Sequence, residues 1–274
     1  MKNERTVESI AYEKMMGGIF KLLMEGVDAA PSIPMEEFLK TTPQGLSMPP
    51  PPLQKDHDPA KRIIDLPKPE SIKVKEMDLR DAIEKRRSLR DYSKTPLKLE
   101  ELSWLLWCTQ GVRSINTSRT ATLRNVPSGG SRHPIETYLL ANSVEGLQPG
   151  LYRFLALEHK LVEVNLDCSL LDKVMKLTWN QQFVRECAVV FFWVGVVNRT
   201  AWRYSYGVYR VLLLEAGHVC QNLYLAAEAV DAGACAIGGF VSAELGRLFG
   251  LTEDEEIVLY VASLGKKKAV QVPS

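Results

Sequence analysis

The 274-residue chain has no stretch of about 18 uncharged apolar residues, so no membrane-spanning helix is expected. Cysteine is scarce and poorly arranged for metal or dithiol chemistry. Cys108, Cys168, Cys187, Cys220 and Cys235 are odd in number, widely spaced and form no Cys-x-x-Cys pair. Four of them sit among apolar neighbours, as small hydrophobes do, and a reducing compartment suits them. No metal site is expected. Lys21, Glu25 and Asp28 break any apolar run near the N-terminus, so no secretory signal is expected and the cytoplasm is the expected location. Charge of one sign is missing too. Lys and Arg number 34 against 33 Asp and Glu, a net charge of +1, so neither nucleic acid nor a membrane surface is an expected partner. An anionic ligand needs a local cluster instead. No Walker loop, no dinucleotide fingerprint and no internal repeat is present. A hydrophobic fraction of 46% and a charged fraction of 24% exclude a disordered or collagen-like chain and suit a soluble globular one.

Composition shifts near residue 75. Ile10, Met15, Ile19, Leu22 and Leu23 have helical spacing within Val7–Gly26. Pro49–Pro52 is a stiff run that fits neither a helix nor a central strand, and the chain stays rich in Pro, Lys and Asp to Glu70. This part reads as an extended arm wrapped over the domain or over a partner subunit. Beyond it, Asp78 caps a short helix through Ala82 and Ile83, and Leu99–Gln110 forms a second, stopped by Gly111. A polar loop covers Arg113–Arg132. Glu136–Ala141, Gly150–Phe154 and Lys160–Val164 read as meander strands, and Ala188–Val197 as a strand buried on both faces. Val208, Leu212, Ala216, Val219, Leu223, Ala227 and Val230 mark a long helix over Val208–Asp231, ended by Gly233. Ala234–Gly239 and Ile257–Leu264 read as strands flanking a short helix, Glu244–Phe249. Helices and strands alternate without a regular βαβ repeat, which makes the fold α+β.

Four segments carry chemistry. Arg86-Arg87-Ser88-Leu89-Arg90 concentrates forked N–H donors and a hydroxyl; it reads either as a phosphate site or as a solvated basic helix end. Pro127-Ser128-Gly129-Gly130-Ser131-Arg132-His133-Pro134 is either a tight loop or a place where backbone approaches a flat ligand. Ala236-Ile237-Gly238-Gly239-Phe240 is a second place for close backbone approach, and Lys266-Lys267-Lys268 ends the last strand. Glu215, His218 and Asn222 share one stripe of the long helix, either as a satisfied buried network or with His218 as a proton-transfer group. His133 either contacts ligand or fixes its loop.

In this order the four segments resemble the flavin-dependent nitroreductase family over Leu79–Lys268. Within it they are similar to the SagB-type, azoline dehydrogenase-like branch. The branch is suggested by the Pro-Ser-Gly-Gly loop, Pro149-Gly150-Leu151-Tyr152, Tyr209-Arg210 with Glu215-Ala216-Gly217-His218, and Gln221-Asn222-Leu223. The resemblance implies a three-layer α+β fold with a central mixed, mainly antiparallel sheet flanked by helices. It implies a homodimer with FMN at the subunit interface, residues 76–274 forming the FMN-binding domain and residues 1–75 an N-terminal helical and extended arm.

On the same ground Arg86, Arg87, Ser88 and Arg90 hold the FMN phosphate, with Lys266 and Lys268 adding to it. Pro127, Ser128, Gly129, Gly130 and Ser131 meet the ring edge, and Gly238 and Gly239 back the ring. The implied activity is hydride transfer between NAD(P)H and an electron-poor acceptor. The alternatives are azoline oxidation on a modified peptide and a non-catalytic flavin-binding subunit. Where the azoline dehydrogenases carry a Lys-Tyr pair, this chain has Arg203-Tyr204. Arginine stays protonated to pH ~12 and is a poor base, which leaves Tyr204, with Arg203 and His133, as the candidate catalytic residues.

Overall fold

A computed structural model describes Met15, Met16, Gly18 and residues 34–269. Apart from Met15, Met16 and Gly18, which are helical, the expected helix Val7–Gly26 lies outside the described residues. Seven strands form one sheet in the order β1-β6-β5-β4-β7-β9-β8. They are β1 Ile63–Asp65, β4 Ile135–Ala141, β5 Gly150–Leu155, β6 Lys160–Asn165, β7 Val189–Val196, β8 Ala232–Ile237 and β9 Glu256–Lys266. The sheet is mainly antiparallel as expected, and among the described strands all six neighbouring pairs are antiparallel. Short turns join β4, β5 and β6, and such turns permit only antiparallel pairing.

Between β4 and β9 runs β7, an interior strand whose unbroken apolar run is buried on both faces. Val189, Phe191 and Trp193 enter one hydrophobic cluster while Val190, Phe192 and Val194 enter another, the two-residue period of a strand. The first cluster lies under the helices Leu99–Gln110 and Val208–Glu228; the second lies under Leu170–Leu177 and Ser242–Phe249. Helix, sheet and helix therefore make three layers.

The chain differs from expectation in several places. The long helix ends at Glu228 rather than Asp231, and Gly233 lies inside β8, where Leu89 presses against it. Asp231 adopts a left-handed φ of 47° in the turn between helix and strand, so the chain reverses before the glycine. The expected polar loop 113–132 contains a hairpin, β2 Val112–Ile115 with β3 Thr122–Arg124, closed by Asn116. A helix at Val197–Tyr204 has no apolar stripe to announce it; Arg199 and Thr200 are its buried side chains.

Residues 44–65 lie against the core. Prolines 49–52 have no N–H to donate to a sheet, yet their carbonyls still need partners. Arginines supply them at Pro51, Pro52 and the residues that follow. Arg132 donates to the Pro51 carbonyl, Arg199 to Pro52, Arg124 to Leu53, and Arg153 to both Lys55 and Asp56. Glu136 binds this row together: its carboxylate meets Arg199 at 2.5 Å, Arg153 at 3.4 Å and the Lys55 amide at 2.8 Å. Further on, β1 adds to the sheet edge beside β6.

Candidate active site

The loop after β3 is built around backbone that ordinary residues avoid. Gly130, Ser131 and His133 all have left-handed φ values, of 60°, 54° and 43°. For the two non-glycine residues this conformation costs about 1–3 kcal/mol each, so the surroundings must enforce it. The long helix meets the loop through Glu215. Glu215, 5% exposed, accepts the Ser128 hydroxyl at 2.9 Å and the Gly129 amide at 2.8 Å on the same oxygen. The Ser128 hydroxyl in turn accepts the His133 amide at 2.8 Å. Burial pushes the Glu215 carboxyl up to about 7, against the lowering effect of these two bonds and of Arg124. Burial, with Arg124 adding to it, pushes the His133 imidazole down to about 3, so that ring stays neutral at neutral pH.

The helix Val197–Tyr204 brings Arg203 and Tyr204 onto this loop. A Cβ on Gly130 would lie 2.4 Å from the Arg203 Cδ and 3.3 Å from the Tyr204 hydroxyl, so only glycine fits there. Gly129 lies between Tyr204 and Glu215. Arg203 donates Nη1 to the side chain of Gln44 at 2.8 Å, while Trp202 donates its indole N–H to the Met48 carbonyl at 2.9 Å. The arm thus reaches the candidate catalytic pair.

The basic cluster stands elsewhere. The helix Leu79–Lys85, with Asp78 accepting the Arg80 amide as its cap, stops at Arg86. Arg86 therefore does not share a helical face with Arg90. Arg87 folds back on the Glu84 and Arg86 carbonyls. Ser88 hydrogen-bonds the Tyr224 hydroxyl at 3.1 Å, Arg86 lies over the Tyr224 ring, and Arg90 lies over Phe183. Among the described residues no acid pairs with Arg86, Arg87 or Arg90. The C-terminal lysines are already paired: Lys266 with Glu101 at 2.7 Å and Lys268 with Asp91 at 2.5 Å. Gly238 is exposed with open space where a Cβ would point, whereas Gly239 is pressed by Trp179, an exposed residue at φ 57°.

Loop and arginines occupy different flanks of the long helix. Glu215 faces the loop and Tyr224 faces the arginines; nine positions at 3.6 residues per turn put them about half a turn apart. Between them lie the exposed Leu213, Leu214, Gly217 and His218. The stripe of Glu215, His218 and Asn222 is therefore not one network. Glu215 holds the loop, Asn222 donates to the Cys108 carbonyl at 2.9 Å, and His218 is exposed. The grip of Glu215 on the loop, the reach of Gln44 to Arg203 and the Trp179–Gly239 contact were not legible in sequence. Only the seven-residue spacing of Glu215 and Asn222 beside the apolar stripe hinted at the first. Among the described residues no group of His, Cys, Asp and Glu can hold a metal, and no described helix is long and apolar enough to cross a membrane.

Fold and sequence together make this chain an oxidoreductase enzyme. It belongs to the nitroreductase family, whose model matches residues 83–266. A Methanocaldococcus jannaschii protein provisionally named a nitroreductase is 31% identical over 194 residues, covering 71% of this chain and 93% of its own. A solved Anabaena variabilis protein, also provisionally named a nitroreductase, superposes with a TM-score of 0.63 at 25% identity. That match covers 88% of this chain, which spans about half (49%) of the other. A chain of the E. coli microcin synthetase McbBCD complex, solved with truncated pro-MccB17 bound, superposes with a TM-score of 0.57 at 16% identity, covering 98% of this chain and 100% of its own. At that identity the likeness is one of fold.

Proposed function

We propose that the protein is an FMN-dependent oxidoreductase that passes hydride between NAD(P)H and an electron-poor acceptor. The observation that carries this reading is the pair of half-sites on the long helix, with arginines lacking acid partners on one flank and the strained glycine loop on the other. The donor set suits FMN. Arg86, Arg87, Arg90 and Ser88 offer the forked and hydroxyl donors that a phosphate monoester accepts. Backbone at Ser128–Ser131 and at Gly238 lets a flat ring come close, with Arg203 and Tyr204 packed beside Gly130 and Trp179 beside Gly239. Bound flavin supplies the hydride chemistry, and the protein supplies position and electrostatics. Two flanks of one helix do not close around a single ligand. A second copy packed on the exposed Leu213, Leu214, Gly217 and His218 would complete the site with its own loop, as a homodimer.

The residues take distinct parts. Tyr204 holds a hydroxyl close to Gly130 and is the candidate proton carrier of the helix Val197–Tyr204. Arg203, with its forked guanidinium donors, fits the orientation of an anionic or electron-rich group. His133, buried and neutral, fixes the loop rather than relaying protons. Lys268, on an exposed pair with Asp91, is freer to reach a phosphate than Lys266. As purified, the protein should be yellow, with flavin absorption that NAD(P)H bleaches without oxygen. A colourless protein that refuses added FMN would refute this reading.

A second reading is favoured by Tyr204 over Gly130 and by the likeness to the synthetase chain solved with a peptide bound. It is a SagB-type dehydrogenase that oxidises azolines on a modified peptide and passes electrons to oxygen. Turnover of an azoline peptide with weak bleaching by NAD(P)H would select it.

A further inference from the structure

Glu215 has no part in the chemistry described so far, yet it is the most deeply placed acid at the site. It is 5% exposed, points from the long helix at the loop, and takes two donors, the Ser128 hydroxyl and the Gly129 amide, on one oxygen. Those donors begin the segment whose next residues hold left-handed backbone at Gly130, Ser131 and His133. Through Ser128 the grip extends to the His133 amide. Tyr204 closes the loop from the other side, 3.2 Å from where a Gly129 Cβ would stand. Arg124 is the cation acting on the carboxyl; Arg132 within the loop, the Arg203 and Tyr204 side chains packed on Gly130, and the neutral His133 are the other titratable groups at the loop.

We propose that Glu215 is the positioning residue of the Pro127–Ser131 loop, a single carboxylate oxygen that locks the strained backbone into the shape presented to the flavin. The inference rests on the flavin reading for what the loop meets, but not for how the loop is held. It assigns no proton transfer to Glu215. It makes the loop's shape depend on an acceptor at one atom, which glutamine retains and alanine lacks.

Hydrogen–deuterium exchange on flavin-free protein tests the grip directly. In Glu215→Ala the Gly129–His133 amides should exchange about 10- to 100-fold faster, the range for losing two hydrogen bonds together. The core strand Val189–Val196 should keep its protection. Glu215→Gln, whose amide oxygen still accepts both donors, should restore loop protection to within about threefold. Unchanged loop exchange in Glu215→Ala, or failure of Glu215→Gln to restore it, overturns the proposal. If the alanine variant does not fold, Ser128→Ala removes one donor and the acceptor of the His133 amide. Loop exchange should then rise about tenfold, and no rise overturns the proposal equally. FMN titration of the wild type separates the two claims. A wild type that takes up no FMN while the loop follows the expected order refutes the flavin reading alone. Tight FMN binding with a loop indifferent to Glu215→Ala refutes the role of Glu215 alone.

Discussion

Replacing Glu136 with Ala should loosen the N-terminal arm at a cost of about 3–5 kcal/mol, the usual penalty for removing one partner of a buried ion pair. The figure follows from burial. Arg199 and Arg153 have side chains 2% and 3% exposed, and the Glu136 carboxylate is the acid both of them meet. Without it two guanidinium charges remain in a low-dielectric interior, while still holding the carbonyls of Pro52, Lys55 and Asp56. Against a typical stability of about 5–15 kcal/mol, that loss is large.

The acid limb has a definite sign. Arg199 and Arg153 hold the Glu136 carboxyl below its ordinary range, although burial works the other way. The carboxylate's contribution is therefore present above the unfolded pKa and is lost as pH falls through the folded one. Urea denaturation at neutral pH, with amide exchange over residues 53–57, measures both stability and arm release. Glu136→Gln keeps an acceptor without the charge and should lose less than Glu136→Ala. A loss under about 1 kcal/mol in Glu136→Ala, with the arm amides still protected, would show that the arginine row stands without its acid.

Three further outcomes are expected. Arg87→Ala should weaken FMN binding about 10- to 100-fold, as loss of a charged phosphate contact does; unchanged affinity by fluorescence titration argues against the phosphate assignment. Burial pushes the thiols of Cys108, Cys187 and Cys220 up to about 12, so native protein at pH 8 should show one fast-reacting thiol, the exposed Cys168, and Cys168→Ser should remove it. Glu215 is raised from 4.5 to about 7, so the folded state holds its proton more tightly than the unfolded state. Stability should therefore fall as pH rises across that window, by up to about 3 kcal/mol, and Glu215→Gln should flatten the slope in pH-dependent urea melts.

Local signals were legible where burial follows a period. The unbroken apolar run of β7, the stripe of the long helix and the cap at Asp78 each sit within one element, and each element formed near its expected bounds. The basic cluster and the glycine loop were legible for the same reason: their chemistry lies within eight consecutive residues. The helix Val197–Tyr204 was not, because the partners of its buried polar side chains lie far away in sequence. Arg199 meets the Pro52 carbonyl 147 residues earlier, and Arg203 meets Gln44 159 residues earlier.

The same distance explains what the charge balance left out. A net +1 with 34 basic residues gives no global field and does not say where the cations lie. Four of those arginines (Arg124, Arg132, Arg153 and Arg199) are at most 4% exposed and turn their donors on a proline-rich segment of the same chain. Proline explains why side chains do this work. A segment without N–H groups cannot enter a sheet, but its carbonyls lose water on burial as any others would, and guanidinium supplies several donors from one side chain. The site inherits the consequence. Arg199 holds the arm four residues before Arg203, and Arg132 does so directly beside His133. The proline segment is thus fastened to both elements that meet at Gly130, and whatever disturbs it should be felt where Tyr204 faces the loop.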